Sequence, residues 1–146
     1  VPQNLIPYLT QTAMGIRKEL SVFGNDYNTR DGYCIRDFID VVDLAKAHVI
    51  AVERMLEDKS EAKIEIFNLG TGNGLSVMEL ITAFERATGV KVPYRIAPRR
   101  AGDIEQVWAN PTYANEVLGW TASTPIDDTM RSAWKWQQRL RERGIM

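Results

Sequence analysis

The sequence predicts an α/β fold on three observations. Strand-like and helix-like segments alternate along the chain, helix ends carry recognisable capping residues, and one helix is apolar around most of its circumference. The first helix opens at Asn4, a favoured N-cap residue, and runs to about Gly15 with Pro7 tolerated in its first turn. Leu20–Phe23 reads as a strand ahead of a polar, turn-rich loop. The next helix, Val41–Leu56, has eleven apolar residues among sixteen. A surface helix shows one apolar stripe, so this pattern asks for cover on more than one side.

Residues 63–69 read as a second strand, able to be buried with that helix. Ser76 and Glu79 form a capping box ahead of Leu80, Ile81, Phe84 and Ala87, and Gly89 fits the helix stop. Residues 91–96 are a third strand candidate. Asn110-Pro111 opens a short helix that ends before Gly119. Thr124-Pro125 opens the last helix, with Asp127 and Asp128 in its first turn and Arg139, Arg141 and Arg143 near its end. Both clusters complement the helix dipole.

Composition excludes several classes of function. The 146 residues are enough for one domain with a core, and 45% hydrophobic and 25% charged residues are ordinary globular values. A net charge of −1 gives no basic field for nucleic acid or an anionic membrane. The single cysteine, Cys34, excludes an intramolecular disulfide framework and a cysteine-clustered metal site. No apolar run reaches the ~18 residues of a membrane span, and nothing reads as a signal peptide. A cytoplasmic protein is expected. The chain begins with Val1, which suggests an excised portion of something longer.

Residues 22–45 read VFGNDYNTRDGYCIRDFIDVVDLA. With IFNLGTGNGLSV at 66–77, APRRAGDIEQVWAN at 97–110 and AWKWQ at 133–137, this ordering resembles the substrate domain of UDP-galactose 4-epimerases. These are extended short-chain dehydrogenase/reductase enzymes. The resemblance covers essentially all of residues 1–146 and implies the C-terminal, UDP-sugar-binding portion of an extended Rossmann-type enzyme. On that reading, the helix and strand within 41–70 would complete a dinucleotide-binding sheet contributed by an absent N-terminal domain. The parent reaction would be NAD-dependent interconversion of UDP-glucose and UDP-galactose at sugar C4, through a 4-keto intermediate. A homodimer is implied for the full-length enzyme, its contacts lying outside this portion.

Arg36, Arg99 and Arg100 are the candidate anion ligands, because planar guanidinium donors suit a diphosphate. Asp103 could accept hydrogen bonds from ribose hydroxyls. The resemblance implies that Arg36 and Arg100 contact the diphosphate, that Asp103 holds the ribose, and that Asn4 and Leu5 touch the pyrophosphate. A helix starting at Asn4 would offer free N–H groups there. Ser21, Val22 and Phe23 match the uracil site of the family, where backbone groups read the imide edge. Phe38 stands where the family has a tyrosine, Asp40 where it has a histidine, and Tyr33-Cys34 replaces a smaller pair. Val107 stands at a sugar-pocket position that often holds tyrosine, so a sugar N-acetylated at carbon 2 would gain room.

Two features mislead. Gly70-Thr71-Gly72-Asn73-Gly74 suggests a dinucleotide fingerprint, but Leu75 occupies the place of its last glycine. His48 lies inside the apolar helix and reads as a packed or partly exposed side chain. No tyrosine has lysine four residues on, so the base and cofactor anchor of the family are missing. No catalytic residue, bound cofactor or metal is expected in this chain. Competing readings are a portion of a dehydratase or uronate decarboxylase, or a non-catalytic UDP-binding module.

Overall fold

The structure is a computed structural model and describes residues 4–145. Its elements in order are α1 (Leu5–Ala13), β1 (Leu20–Phe23), β2 (Ile35–Arg36), α2 (Val41–Leu56), β3 (Leu75–Ser76), α3 (Val77–Thr88), β4 (Tyr94–Ala97), β5 (Gln106–Val107), α4 (Thr112–Leu118) and α5 (Ile126–Glu142). The chain divides into two compact units. The first comprises Val1–Cys34, Ser76–Glu105 and Pro125–Met146, and the second Ile35–Leu75 and Gln106–Thr124. Among the described residues, no helix is long and apolar enough to cross a membrane.

In the first unit β1 and β4 pair in parallel, with Leu20 opposite Tyr94 and Phe23 opposite Ala97. The expected strand at 91–96 begins later, at Tyr94, because Pro93 has no N–H for the ladder; its carbonyl instead accepts from Leu20 N–H at 2.8 Å. α5 packs against α3 and α1. Phe84, Leu80, Ile81 and Met130 are fully buried, and Phe84 meets Trp134 edge to face with ring centres 5.7 Å apart. The Thr10 hydroxyl donates to Gln137 Oε1 at 3.1 Å, which satisfies two buried polar side chains between α1 and α5.

Both halves of the capping box form: Glu79 N–H donates to Ser76 Oγ at 3.0 Å, and Ser76 N–H to Glu79 Oε2 at 2.7 Å. Ser76 Oγ donates to Asp31, and Arg30 makes a double ion pair with Glu79. The helix start therefore also anchors the loop before Cys34. Gly89 (φ +72°) and Gly119 (φ +61°) end α3 and α4 in the left-handed conformation, as their positions predict. Asn4 precedes α1 with extended angles, but its side chain caps nothing.

In the second unit Ala47, Ala114, Leu118 and Trp120 form the core, with Ile50, Phe67 and Leu69 packed on it. Phe67 stacks on Tyr113 at 5.2 Å. Asp43, only 1% exposed, accepts from the backbone N–H groups of Ser123 (2.9 Å) and Thr124 (2.7 Å), and its own carbonyl accepts from Trp120 Nε1 at 2.9 Å. Burial raises its pKa, but the hydrogen bonds from Thr124, Lys46 and Ser123 prevail and hold it below the ordinary value. Arg54 binds Glu65 with two bonds of 2.9 Å, lowering the Glu65 pKa from 4.5 to about 2.

One expectation changes here. The strand at 63–69 is not one: no ladder partner pairs with it among the described residues. Its side chains still alternate, with Phe67 and Leu69 turned to the core while Ile64 and Ile66 stay about 80% exposed. The apolar circumference of α2 is covered on one side only. Val42, Val49, Val52 and Leu56 form an exposed stripe, Leu56 being 82% exposed. With Ala45 they recur at spacings of three and four, the seam pattern of a helix that packs on another layer.

Folded-state pKa values lowered at Glu65 and Asp43 stabilise the second unit above the ordinary carboxylate range. That stabilisation is lost as pH falls from about 4.5 toward 2. Glu65→Gln is expected to lower the thermal midpoint near pH 7, with the gap from wild type closing as pH approaches 2. Circular dichroism melts across that range check it; parallel curves would refute the assignment.

Candidate functional site

The candidate residues fall into two groups, one in each unit. In the first unit, Leu20 and Gly24 donate their N–H groups toward β4, to Pro93 and Ala97 carbonyls at 2.8 Å each. Backbone groups alternate sides along a strand, so Ser21 and Phe23 present theirs on the opposite edge. That edge of β1 pairs with no strand among the described residues. Val22 differs from its neighbours: its side chain is buried and its backbone turns to β4.

β4 ends at Ala97, and a turn follows in which Asp103 N–H donates to the Arg100 carbonyl at 3.2 Å. Gly102 (φ +82°) lets the chain reverse there. Arg100 Nη2 donates to Asp103 Oδ1 at 2.7 Å, and its guanidinium lies 5.5 Å from the centre of the Phe23 ring. The Asp103 carboxylate raises the pKa of Arg100 further. Arg100 is exposed, whereas the Asp103 side chain is 11% exposed. The turn thus holds a cation and an anion beside an aromatic face and an open strand edge.

Arg99 points elsewhere. Nε donates to Asp26 Oδ1 at 2.8 Å, Nη2 to the Asp26 carbonyl at 2.5 Å, and the guanidinium lies 4.2 Å over the Tyr27 ring. Arg99 lowers the Asp26 pKa, and Asp26 raises that of Arg99. Asn4 and Leu5 lie at the start of α1, with Asn4 exposed and Leu5 half-buried.

In the second unit, Arg36 of β2 stands opposite Val107 of β5 in a parallel pair, which brings these two candidates side by side. Arg36 Nη1 donates to the Ile35 carbonyl at 2.8 Å, Phe38 is half-buried, and Val107 is exposed. Asp37 organises this group, and sequence reasoning overlooked it. Its carboxylate accepts from Thr71 N–H (3.1 Å), Thr71 Oγ1 (2.7 Å) and Ala109 N–H (3.2 Å). One side chain therefore joins the Arg36–Phe38 segment, the glycine loop and the stretch after Val107. The only sequence sign was an acid flanked by two candidate ligands.

The glycine loop is structural. Its Thr71 N–H is taken by Asp37, and a Cβ on Gly70 would lie 2.4 Å from Asp37 Oδ2 and 2.6 Å from Ala109 Cβ. His48 is exposed, with Nδ1 2.8 Å from the Leu44 carbonyl of its own helix.

The chain matches the model of the family described as GDP-mannose 4,6 dehydratase over residues 1–133. It is 47% identical over 139 residues to a protein of Homo sapiens named UDP-glucose 4-epimerase, covering 95% of this chain and 39% of that protein. A solved UDP-glucose-4-epimerase from Stenotrophomonas maltophila with bound NAD and formylated UDP-arabinopyranose superposes with a TM-score of 0.91 at 47% identity. That match covers 97% of this chain and 41% of the other. The UDP-glucose 4-epimerase from Bifidobacterium longum in complex with NAD+ and UDP gives 0.87 at 45%, covering 95% and 40%. The chain thus spans about two fifths of the relatives it matches.

Gly70→Ala is expected to destabilise the protein by about 1–3 kcal/mol, since the added methyl must displace Asp37 or Ala109. Denaturant titration measures it. An unchanged midpoint would mean that the contact relaxes freely.

Proposed function

The chain belongs to the GDP-mannose 4,6 dehydratase family, and from that premise we propose that it is the UDP-sugar-binding portion of an NAD-dependent UDP-glucose 4-epimerase. The observation that supports this best is the first-unit group, with Arg100, Asp103, the Phe23 ring and the open edge of β1. Each element suits one part of a uridine diphosphate. The N–H and C=O groups of Ser21 and Phe23 match the imide edge of uracil, which has one N–H between two carbonyls. The Asp103 carboxylate accepts from ribose hydroxyls, and Arg100 gives the diphosphate a permanent, planar, multidentate cation. Val22 supports this strand by its packing.

Asn4 and Leu5 lend the helix start to the pyrophosphate, and in the second unit Arg36 is an anion ligand. Phe38 and Val107 line the sugar. Firm hold on the nucleotide with apolar, loosely fitting residues at the sugar suits a reaction in which a keto sugar must turn over within the site. The residues of this chain do not fit a dinucleotide. The one fingerprint-like loop commits its Thr71 N–H to Asp37, and Tyr-x-x-x-Lys is absent from the sequence. NAD and the base therefore belong to the N-terminal dinucleotide-binding domain of the full enzyme, which would also cover the apolar stripe of α2.

The purified chain is expected to bind UDP in calorimetry yet show no turnover of UDP-galactose with added NAD in a coupled assay. Arg100→Ala should weaken UDP binding at least about tenfold, the worth of a hydrogen bond to a charged group. Turnover by the chain alone, or an unchanged Arg100→Ala affinity, would count against the proposal.

Valine at 107 leaves room beside carbon 2 of the sugar. The enzyme bearing this chain should accept UDP-N-acetylglucosamine as well as UDP-glucose, and Val107→Tyr should cut kcat/KM on the acetylated sugar far more than on the plain one. Equal losses on both would place Val107 outside the pocket.

A further inference from the structure

We propose that Arg99 is a positioning residue: it touches no ligand, but its clamp on Tyr27 and Asp26 fixes the turn that presents Arg100 and Asp103. The inference rests on the UDP-binding reading and adds a residue with a separate role. The two arginines are adjacent just past the end of β4 yet turn in different directions, Arg100 toward Phe23 and Arg99 toward the loop after β1. Both donor sites of the Arg99 fork that face the loop are taken by Asp26, one by its carboxylate and one by its backbone carbonyl. One guanidinium face lies on Tyr27, whose side chain is 5% exposed and so forms a fixed platform.

Gly24 shows how closely these parts fit. It adopts φ +76°, and a Cβ there would lie 2.5 Å from Tyr27 Cε2 and 3.0 Å from Arg99 Cγ. Gly24 N–H donates to the Ala97 carbonyl at 2.8 Å, two residues before Arg99, so loop and strand end are also joined beside the clamp. The loop itself is folded back, with Tyr27 N–H donating to the Gly32 carbonyl at 3.0 Å. The start of the turn is thereby anchored at Ala97 and Arg99, and the Asp103-to-Arg100 backbone bond closes it. A lysine would supply charge but neither the two-pronged bond nor the flat stacking face.

The test has two arms on this chain. Without ligand, hydrogen exchange is read at the Asp103 amide: Arg99→Lys, Arg99→Gln and Asp26→Asn should each speed it, while the Val22 amide within the β1–β4 ladder keeps its protection. Unchanged Asp103 exchange in all three would overturn the inference. With UDP, Arg99→Lys should weaken binding at least about threefold, and the same change in an Arg100→Ala, Asp103→Asn background should cost less than about twofold, because a residue acting through those two is not additive with them. Additive losses would mean that Arg99 contacts the ligand itself and would overturn the positioning role. If the unaltered chain fails to bind UDP while the exchange arm succeeds, the UDP-binding reading falls and the role of the clamp in ordering the turn stands.

Discussion

The second unit depends on one carboxylate, Asp37. Three of its segments have no regular structure long enough to hold them: β2 and β5 are two residues each, and the glycine loop has none. Backbone N–H groups in such segments need acceptors, and an ionised carboxylate can serve several at once. Asp37 does so for Thr71 and Ala109. Asp43 repeats the device in the first turn of α2, where it holds the Ser123 and Thr124 amides. In the first unit Asp31 and Glu79 play the same part around Ser76. Acidic side chains that composition counts as surface charge are here the joints between loops.

This explains why loops rather than long strands can present the candidate ligands. Arg36 and Phe38 flank Asp37 directly, and Val107 lies two residues before Ala109. Their placement therefore follows from a hydrogen-bond hub more than from propensity. Around its own candidate ligands the first unit relies instead on a parallel strand pair and a stacked arginine.

The sequence announced what is local. Helix ends were legible because caps are short-range chemistry: Ser76 with Glu79, Gly89 and Gly119 all act as their positions suggest. β1 and α2 match their expected bounds. Asn4 shows the limit, since a capping residue in the right place still needs its side chain turned to the helix. Residues 63–69 misled for a physical reason: alternation makes a strand possible, but a ladder requires a neighbour. The two-residue strands have no period to read. Among the candidate ligands, residue type and resemblance pointed to the positions. Neither could tell that Arg99 and Arg100 turn apart, because direction is settled by which partners wait on each side.

The alternating segment at 63–69 has a bearing on the solution behaviour of the chain. An extended stretch with exposed Ile64 and Ile66 invites edge-to-edge association between molecules. The same stretch places Lys63 and Glu65 on either side of Ile64, and Arg54 holds Glu65 ionised down to about pH 2. The ion pair with Arg54 secures the segment to α2, and acid strong enough to discharge Glu65 would loosen the stretch that carries the exposed isoleucines.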